Sequence, residues 1–152
     1  MLFRSVDAVQ IFDSHGGHLA PTEFAEASGR WLREITTRLN HMTDVPVIVF
    51  SLGTHGNWLD LIGTGADVIG IDWQTSLAEA RRLVPETIGL QGNLSPTLIS
   101  DATPETVAAE TRTILEAMRD RSGHIFNLGH GLTPAAKLEN ISALVETVKN
   151  FK

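Results

Sequence analysis

A histidine between two glycines, His130 in the run 126–132 (FNLGHGL), is the residue best placed to do chemistry. The preceding residues 124–126 predict an apolar strand that leads directly into this loop. Glycine has no side chain to shield a neighbour, and we expect Gly129 and Gly131 to adopt backbone conformations closed to other residues. A histidine binds ligands as a neutral ring or as a cation beside a carboxylate. We therefore expect His130 to contact a ligand.

A second polar group, Asp13, Ser14, His15 and His18, also follows an apolar run. Serine, histidine and aspartate together suggest a hydrolase, but sequence neighbours seldom point at one another and no GxSxG motif is present. The two histidines could share a metal ion, yet no glutamate or cysteine supplies a clear third ligand. We therefore expect no metal site, and we expect Asp13 and Ser14 to form hydrogen bonds at a strand end.

Other candidate residues leave alternatives open. Glycines at 53, 56, 63 and 65 match neither GxGxxG nor a P-loop, and Gly63 to Gly65 better predicts the end of a helix. Asp72 either accepts hydrogen bonds from neighbouring loops or binds a ligand, and the sequence does not distinguish the two. For Trp58 and Trp73 we favour packing over a role in a pocket.

Short apolar runs alternate with helical patterns along the whole chain. The runs are continuous in hydrophobicity, as expected of strands covered on both faces. The predicted strands are Ala8 to Phe12, Val45 to Phe50, Val68 to Asp72, Ile88 to Gln91 and His124 to Asn127. Five βα units in one α/β domain, residues 1–152, imply a parallel sheet with helices outside it. Either an open doubly wound sheet or part of a (βα) barrel fits this pattern.

Polar residues gather after these strands rather than before them. The loops 13–21, 51–57, 72–76, 91–96 and 127–134 are rich in Ser, Asn, Asp, His and Gly. In parallel α/β folds the ligand site lies at the carboxyl ends of the strands. We therefore expect these loops to form the ligand face.

Composition restricts the possible class of protein. The chain has 152 residues, a net charge of −6 and no cysteine, which excludes disulfides, a thiol nucleophile and thiolate zinc ligands. Its basic residues are scattered, so we expect no nucleic-acid partner, and we expect Arg81 and Arg82 on a solvated helix face. No signal peptide or membrane-length apolar run is evident, so we expect a soluble cytoplasmic protein outside the membrane.

Taken together, the motifs resemble the uroporphyrinogen decarboxylase family of the heme pathway. They occur in order along the chain. They are VQIFDSHGGHLAP, VPVIVF, GADVIGIDW with LAEARR after it, LQGNLSP, and HIFNLGHGL. The resemblance implies a TIM-type (βα)8 barrel with a substrate cleft at the carboxyl ends of its strands. Only five of eight units are present, so we expect an incomplete barrel that lacks the first three.

The resemblance also implies a carboxy-lyase of porphyrin biosynthesis. Family members convert uroporphyrinogen III to coproporphyrinogen III and four CO2 without a cofactor. Two family substrate contacts correspond to Ser14 and His130. The catalytic Asp and the substrate-binding arginines belong to the family's N-terminal part, so we expect this chain to be inactive alone. Leu52 stands where the family usually has lysine, and Ser95 where it has aspartate, which affects the expected substrate preference.

Two other functions remain open. A non-catalytic half-barrel could bind or oligomerise through its open sheet edges, since exposed edge strands invite pairing. We therefore expect a homodimer or pairing with the missing N-terminal part. A methyltransferase of the same superfamily is the other alternative, although such enzymes use a zinc site with cysteine ligands and this chain has none.

Overall fold

The computed structural model describes residues 6–53 and 56–152. Two residues of the predicted ligand-face loop 51–57, Thr54 and His55, therefore lie outside the described residues.

Within the described residues, five parallel strands form one sheet. They are β1 Val9–Asp13, β2 Val47–Ser51, β3 Val68–Gly70, β4 Gly89–Leu94 and β5 His124–Leu128. All five predicted strands are present. The largest difference is in β4, where the apolar run ends at Gln91 but the strand continues to Leu94. Pairing with β5 through Leu94 and Leu128 accounts for the added residues.

The strand order decides between the two predicted architectures. The strands lie in the order β1-β2-β3-β4-β5, so each is next to its neighbour in sequence. Right-handed crossovers between successive parallel strands place every connecting helix on the same face. A doubly wound sheet instead reverses its order at a switch point. The sheet is thus singly wound, which is the arrangement of part of a (βα) barrel.

Helical spacing of apolar residues predicts helices after Pro21, near 58–62, near 77–83, after the Thr103-Pro104 cap and over 141–148, and a helix is present at each place. The helices are α1 Pro21–Phe24, α2 Arg30–Met42, α3 Trp58–Ile62, α4 Leu77–Leu83, α5 Pro96–Asp101, α6 Pro104–Ala117 and α7 Leu138–Asn150. Thr103 caps α6 by accepting a hydrogen bond from the Thr106 amide, and Pro104 occupies the first helical position. Helix α3 ends at Gly63, as predicted. Helix α5 was not predicted, because six residues are too few for a helical apolar repeat.

The hydrophobic core lies between the sheet and the helices. Val47, Val49, Ile69 and Leu90 are each 0% exposed and pack in one cluster with residues of α2, α3 and α4. A second cluster joins the end of β4 to α5, α6 and α7. Side chains alternate between the two faces of a strand. The residues between the core positions therefore lie on the opposite face, which we call the concave face.

Arg81 corrects the prediction of a solvated arginine pair at the end of α4. Its side chain is 4% exposed. Its guanidinium donates hydrogen bonds to the carbonyl oxygens of Ile88 at 2.8 Å and Val84 at 2.7 Å, and also to that of Pro85. Burial lowers the pKa of this guanidinium from its ordinary value. Arg81 therefore stabilises the loop between α4 and β4 from inside.

Candidate functional site

A cavity of about 300 Å³ opens on the concave face at the carboxyl ends of the strands. Its apolar walls include Phe12, Phe50, Ile71 and Leu128. Its polar lining residues are Gln10, Ser14, Gln91, Asn127 and His130. Ser14 and His130, the two predicted substrate contacts, therefore lie around one cavity. Parallel strands bring them together, because Ser14 follows the first described strand and His130 follows the last.

Ser14 reaches this cavity through the alternation of β1. Gln10, Phe12 and Ser14 all line it, whereas Asp13 between them points to the helix side. The Asp13 Oδ2 atom accepts hydrogen bonds from Ser28 Oγ at 2.5 Å and Ser51 Oγ at 2.8 Å. The predicted hydrogen-bonding role of Asp13 is thus confirmed. Ser14 and Asp13 lie on opposite faces of the strand, so they do not form part of a hydrolase triad.

His130 lies near two aromatic rings. Its ring centroid is 6.1 Å from that of Phe50 and 6.4 Å from that of Trp73, both in edge-on geometry. Trp73 is 40% exposed and belongs to neither core cluster, so the prediction that it packs in the core is wrong. Trp58, by contrast, packs against the first core cluster, as predicted.

The loop that carries His130 depends on glycine for a different reason from the one predicted. Neither Gly129 nor Gly131 has a positive φ, so the expectation of unusual backbone conformations is wrong. A Cβ atom on Gly129 would instead lie 2.4 Å from the Trp73 amide nitrogen and 2.9 Å from the Asp72 carbonyl carbon. The Gly129 amide also donates to the Leu94 carbonyl at 2.8 Å. Close approach of two backbones therefore requires Gly129.

Asp72 holds neighbouring loops together. This side chain is 4% exposed. Its Oδ2 atom accepts a hydrogen bond from the Gly53 amide at 2.7 Å, and its Oδ1 atom accepts one from the Gln74 amide at 2.8 Å. Of the two alternatives left open by the sequence, the structure supports the hydrogen-bonding one.

Backbone hydrogen bonds join the loops after β1 and β2. The Gly17 amide donates to the Leu52 carbonyl at 2.7 Å, and the Leu52 amide donates to the Asp13 carbonyl at 2.9 Å. Together with Asp72 and Gly129, these contacts link the loops that surround the cavity. The positions of Ser14 and His130 are therefore set by backbone contacts between loops.

Three amide side chains of the cavity were missed at the sequence level. Gln91 donates from Nε2 to Oε1 of Gln10 at 3.2 Å, and the Leu128 amide donates to Asn127 Oδ1 at 2.8 Å. The sequence did contain a sign of them, because each of these three amides is a polar residue within a predicted apolar strand. We interpreted these strands as covered on both faces, although Gln10, Gln91 and Asn127 are costly to bury without hydrogen-bond partners.

The cavity lining carries little charge. Among its described lining residues there is no Asp, Glu, Lys or Arg, and His130 is the only histidine. The rings of His15 and His18 lie 5.3 Å apart. However, no group of three or more His, Cys, Asp or Glu side chains in the described part of the chain could hold a metal ion. A larger depression of about 500 Å³ between α6 and α7 contains neither Ser14 nor His130.

Comparison with known proteins gives the family. The model of the family "Uroporphyrinogen decarboxylase (URO-D)" matches residues 2–151. The chain belongs to the uroporphyrinogen decarboxylase family. The resemblance inferred from the sequence motifs is therefore confirmed.

Two similar curated proteins, both from bacteria, are named uroporphyrinogen decarboxylase. The relative from Azoarcus sp. strain BH72 is 44% identical over 145 residues, which cover 93% of this chain and 40% of the relative. The relative from Coxiella burnetii strain Dugway 5J108-111 is 39% identical over 149 residues, covering 95% of this chain and 41% of the relative. The chain thus spans about two fifths of the length of these curated relatives.

A solved structure supports the fold. A methyltransferase from Methanosarcina mazei superposes with a TM-score of 0.82 at 19% sequence identity, covering 97% of this chain and 43% of that protein. At this identity the likeness concerns the fold alone. No helix among the described residues is long and apolar enough to cross a membrane.

Proposed function

We propose that this chain provides part of the substrate site of a uroporphyrinogen decarboxylase, a carboxy-lyase of porphyrin biosynthesis. One observation carries the proposal: Ser14 and His130 line the same cavity at the carboxyl ends of the strands. By the motif resemblance, both correspond to substrate contacts of the family, and the chain belongs to that family. Each side chain can donate a hydrogen bond to a carboxylate, and such charge-assisted bonds are stronger than neutral ones.

The composition of the cavity fits an acidic tetrapyrrole. Such a substrate has apolar pyrrole rings with carboxylates at their edges. Phe12 and Phe50 offer aromatic surfaces for the rings, whereas Ser14 and His130 offer donors to the carboxylates. The cavity lacks a carboxylate that could take part in the reaction, because no Asp or Glu among the described residues lines it. We propose that the catalytic Asp comes from the family's N-terminal part and that no cofactor takes part.

The concave face supports a second part of the proposal, which is pairing with another polypeptide. Phe12 and Ile125 on this face are 67% and 44% exposed. In the described sheet β1 and β5 are the outer strands, and unpaired edges favour association. The partner is either a second copy of this chain or a chain carrying the family's N-terminal part. Solution mass measurement tests self-association, and a monomer at all concentrations would count against the homodimer.

Ligand binding tests the substrate assignment. We expect uroporphyrin III, a stable oxidised form of the substrate, to quench tryptophan fluorescence, since Trp73 contacts His130. Ser14→Ala and His130→Ala should each weaken binding about tenfold, the effect of losing one hydrogen bond to a charged group. Ser122→Ala and His41→Ala are matched controls on exposed residues outside the cavity and should bind normally. Equal affinity in all four variants would refute the assignment.

An activity measurement tests the division of the site. The purified chain should show little or no decarboxylation of uroporphyrinogen III, because its cavity lacks the carboxylate that stabilises the cationic intermediate. Adding a chain with the family's N-terminal part should restore turnover if the two parts form one site. Measurable turnover by the chain alone would contradict this prediction.

A non-catalytic binding or oligomerising module remains the alternative, and the same exposed concave face favours it. Oligomerisation without uroporphyrin binding would support that alternative. A methyltransferase role is supported only at the level of fold, and the chain has no cysteine to serve as a zinc ligand. Zinc bound by the purified chain would revive the methyltransferase alternative.

A further inference from the structure

Asn127 lies on the same side of β5 as the cavity. Exposure alternates along the strand: Phe126 and Leu128 pack against the second core cluster, whereas Ile125 and Asn127 are exposed on the concave face. Asn127 lines the cavity together with Ser14 and His130. It therefore shares the cavity with both proposed substrate contacts without being one of them.

The amide of Asn127 has a defined orientation. Its Oδ1 atom accepts a hydrogen bond from the Leu128 backbone amide at 2.8 Å. That bond requires the oxygen, since the amide nitrogen of a side chain cannot accept. The two N–H groups of Nδ2 therefore remain as donors, and no acceptor in the described part of the chain pairs with them.

The absence of charged side chains from the described part of the cavity limits how it can hold an anionic ligand. The described lining of the cavity has no Lys or Arg, so an anionic ligand must be held there by neutral donors and His130. A hydrogen bond from an amide to a carboxylate is charge-assisted and is stronger than one between neutral groups. We propose that Asn127 is a further specificity-determining residue, which donates from Nδ2 to a carboxylate of the ligand. This inference rests on the proposed function, because it concerns the same cavity.

Asn127→Asp tests the proposal with the smallest change of shape. The aspartate keeps an oxygen that accepts from the Leu128 amide, but it replaces the donor by a second acceptor. We expect at least about tenfold weaker binding of uroporphyrin III. Asn150→Asp is the matched control, because it makes the same charge change at an exposed position of α7. The control should bind within about twofold of the unchanged chain.

A neutral variant separates the lost donor from the added charge. Asn127→Ala removes the donor without adding a negative charge, so it should also weaken binding, by roughly fivefold or more. Circular dichroism should show that both Asn127 variants stay folded. If Asn127→Ala and Asn127→Asp bind uroporphyrin III as tightly as Asn150→Asp while Ser14→Ala and His130→Ala bind weakly, the proposal for Asn127 is overturned and the proposed function stands.

A second measurement decides the proposal independently of the tetrapyrrole. Sodium acetate is titrated into the ¹⁵N-labelled chain, and the side-chain NH2 resonances of Asn127 and Asn150 are followed by NMR. We expect a saturable shift at Asn127 and none at Asn150. If the chain does not bind uroporphyrin III, the proposed function fails, and this titration then decides alone. A saturable acetate shift at Asn127 supports its role as a carboxylate donor, and no shift overturns it.

Discussion

Gln91 on β4 donates a hydrogen bond from Nε2 to Oε1 of Gln10 on β1, at 3.2 Å. Strands β2 and β3 lie between them. In a flat sheet the two strands would be about 14 Å apart, with side chains roughly perpendicular to the sheet. Contact between the two amides therefore reflects the curvature of the sheet. The pair spans the concave face, where Gly70 of β3 also lines the cavity.

We predict that these two glutamines contribute jointly to stability. Gln10→Leu and Gln91→Leu should each lower the free energy of unfolding by about 1 kcal/mol, since each removes one side of a hydrogen bond. The double variant should lose less than the sum of the two single losses, by roughly 0.5–1.5 kcal/mol. Urea denaturation of all four proteins measures this coupling. Strictly additive losses would show that the contact contributes nothing of its own.

We predict that alanine at Gly129 lowers stability and that alanine at Gly131, on the other side of His130, does not. Gly129→Ala should lower the free energy of unfolding by about 1–3 kcal/mol, because the new Cβ would press on the backbone of Asp72 and Trp73. It should also weaken uroporphyrin III binding by displacing the loop. Gly131→Ala is the control, because no described atom lies within 4 Å of its added Cβ. Thermal unfolding and binding of both variants check the prediction, and equal stability of the two would contradict it.

Asn140 is expected to be important for the packing of α7. Its side chain is 0% exposed, and Nδ2 donates to the carbonyls of Ile99 at 3.0 Å, Ala102 at 3.0 Å and Leu98 at 3.3 Å. Asn140→Ala leaves these buried carbonyls without their donor, so it should lower the free energy of unfolding by about 3 kcal/mol.

Asn150→Ala is the control for this prediction. It lies on the same helix, but it is exposed and bonds only within the helix, to the Glu146 carbonyl. Its substitution should cost well under about 1 kcal/mol. Urea unfolding of both variants provides the comparison, and similar losses at the two positions would be evidence against a special role for Asn140.

His124 predicts a dependence of stability on pH. Burial lowers the pKa of this histidine below its ordinary value of 6.5, and the hydrogen bond with the Gly92 carbonyl only partly opposes the shift. The unfolded chain therefore binds a proton more readily than the folded chain, so stability decreases as the pH falls from about 6.5 through the folded-state pKa.

His124→Gln should reduce this acid sensitivity. Between about pH 7.5 and pH 5, its free energy of unfolding should fall less than that of the unchanged chain, because glutamine does not titrate. His41→Gln, at an exposed position near the end of α2, should retain the full decrease. The same decrease in all three proteins would show that other groups cause the pH dependence.

Some parts of the fold could be predicted because their causes are local. Thr103 and Pro104 predict the start of α6 from capping chemistry, and Gly63 predicts the end of α3. Arg81 could not be predicted in the same way, because its carbonyl partners lie in the loop after α4 and its burial depends on tertiary packing. Equally, the amide side chains of the cavity were missed because a short apolar run does not reveal which face of a strand is open.

By itself, the sequence determined the family and the alternation of five strands with helices, since motifs and apolar periodicity are properties of short segments. It also identified Ser14 and His130 as residues at strand ends. Only the tertiary structure decided that the sheet is singly wound, that these two residues share a cavity, and that Gln10 meets Gln91. The physical reason is that strand order, sheet curvature and backbone approach at Gly129 arise from contacts between segments far apart in the chain.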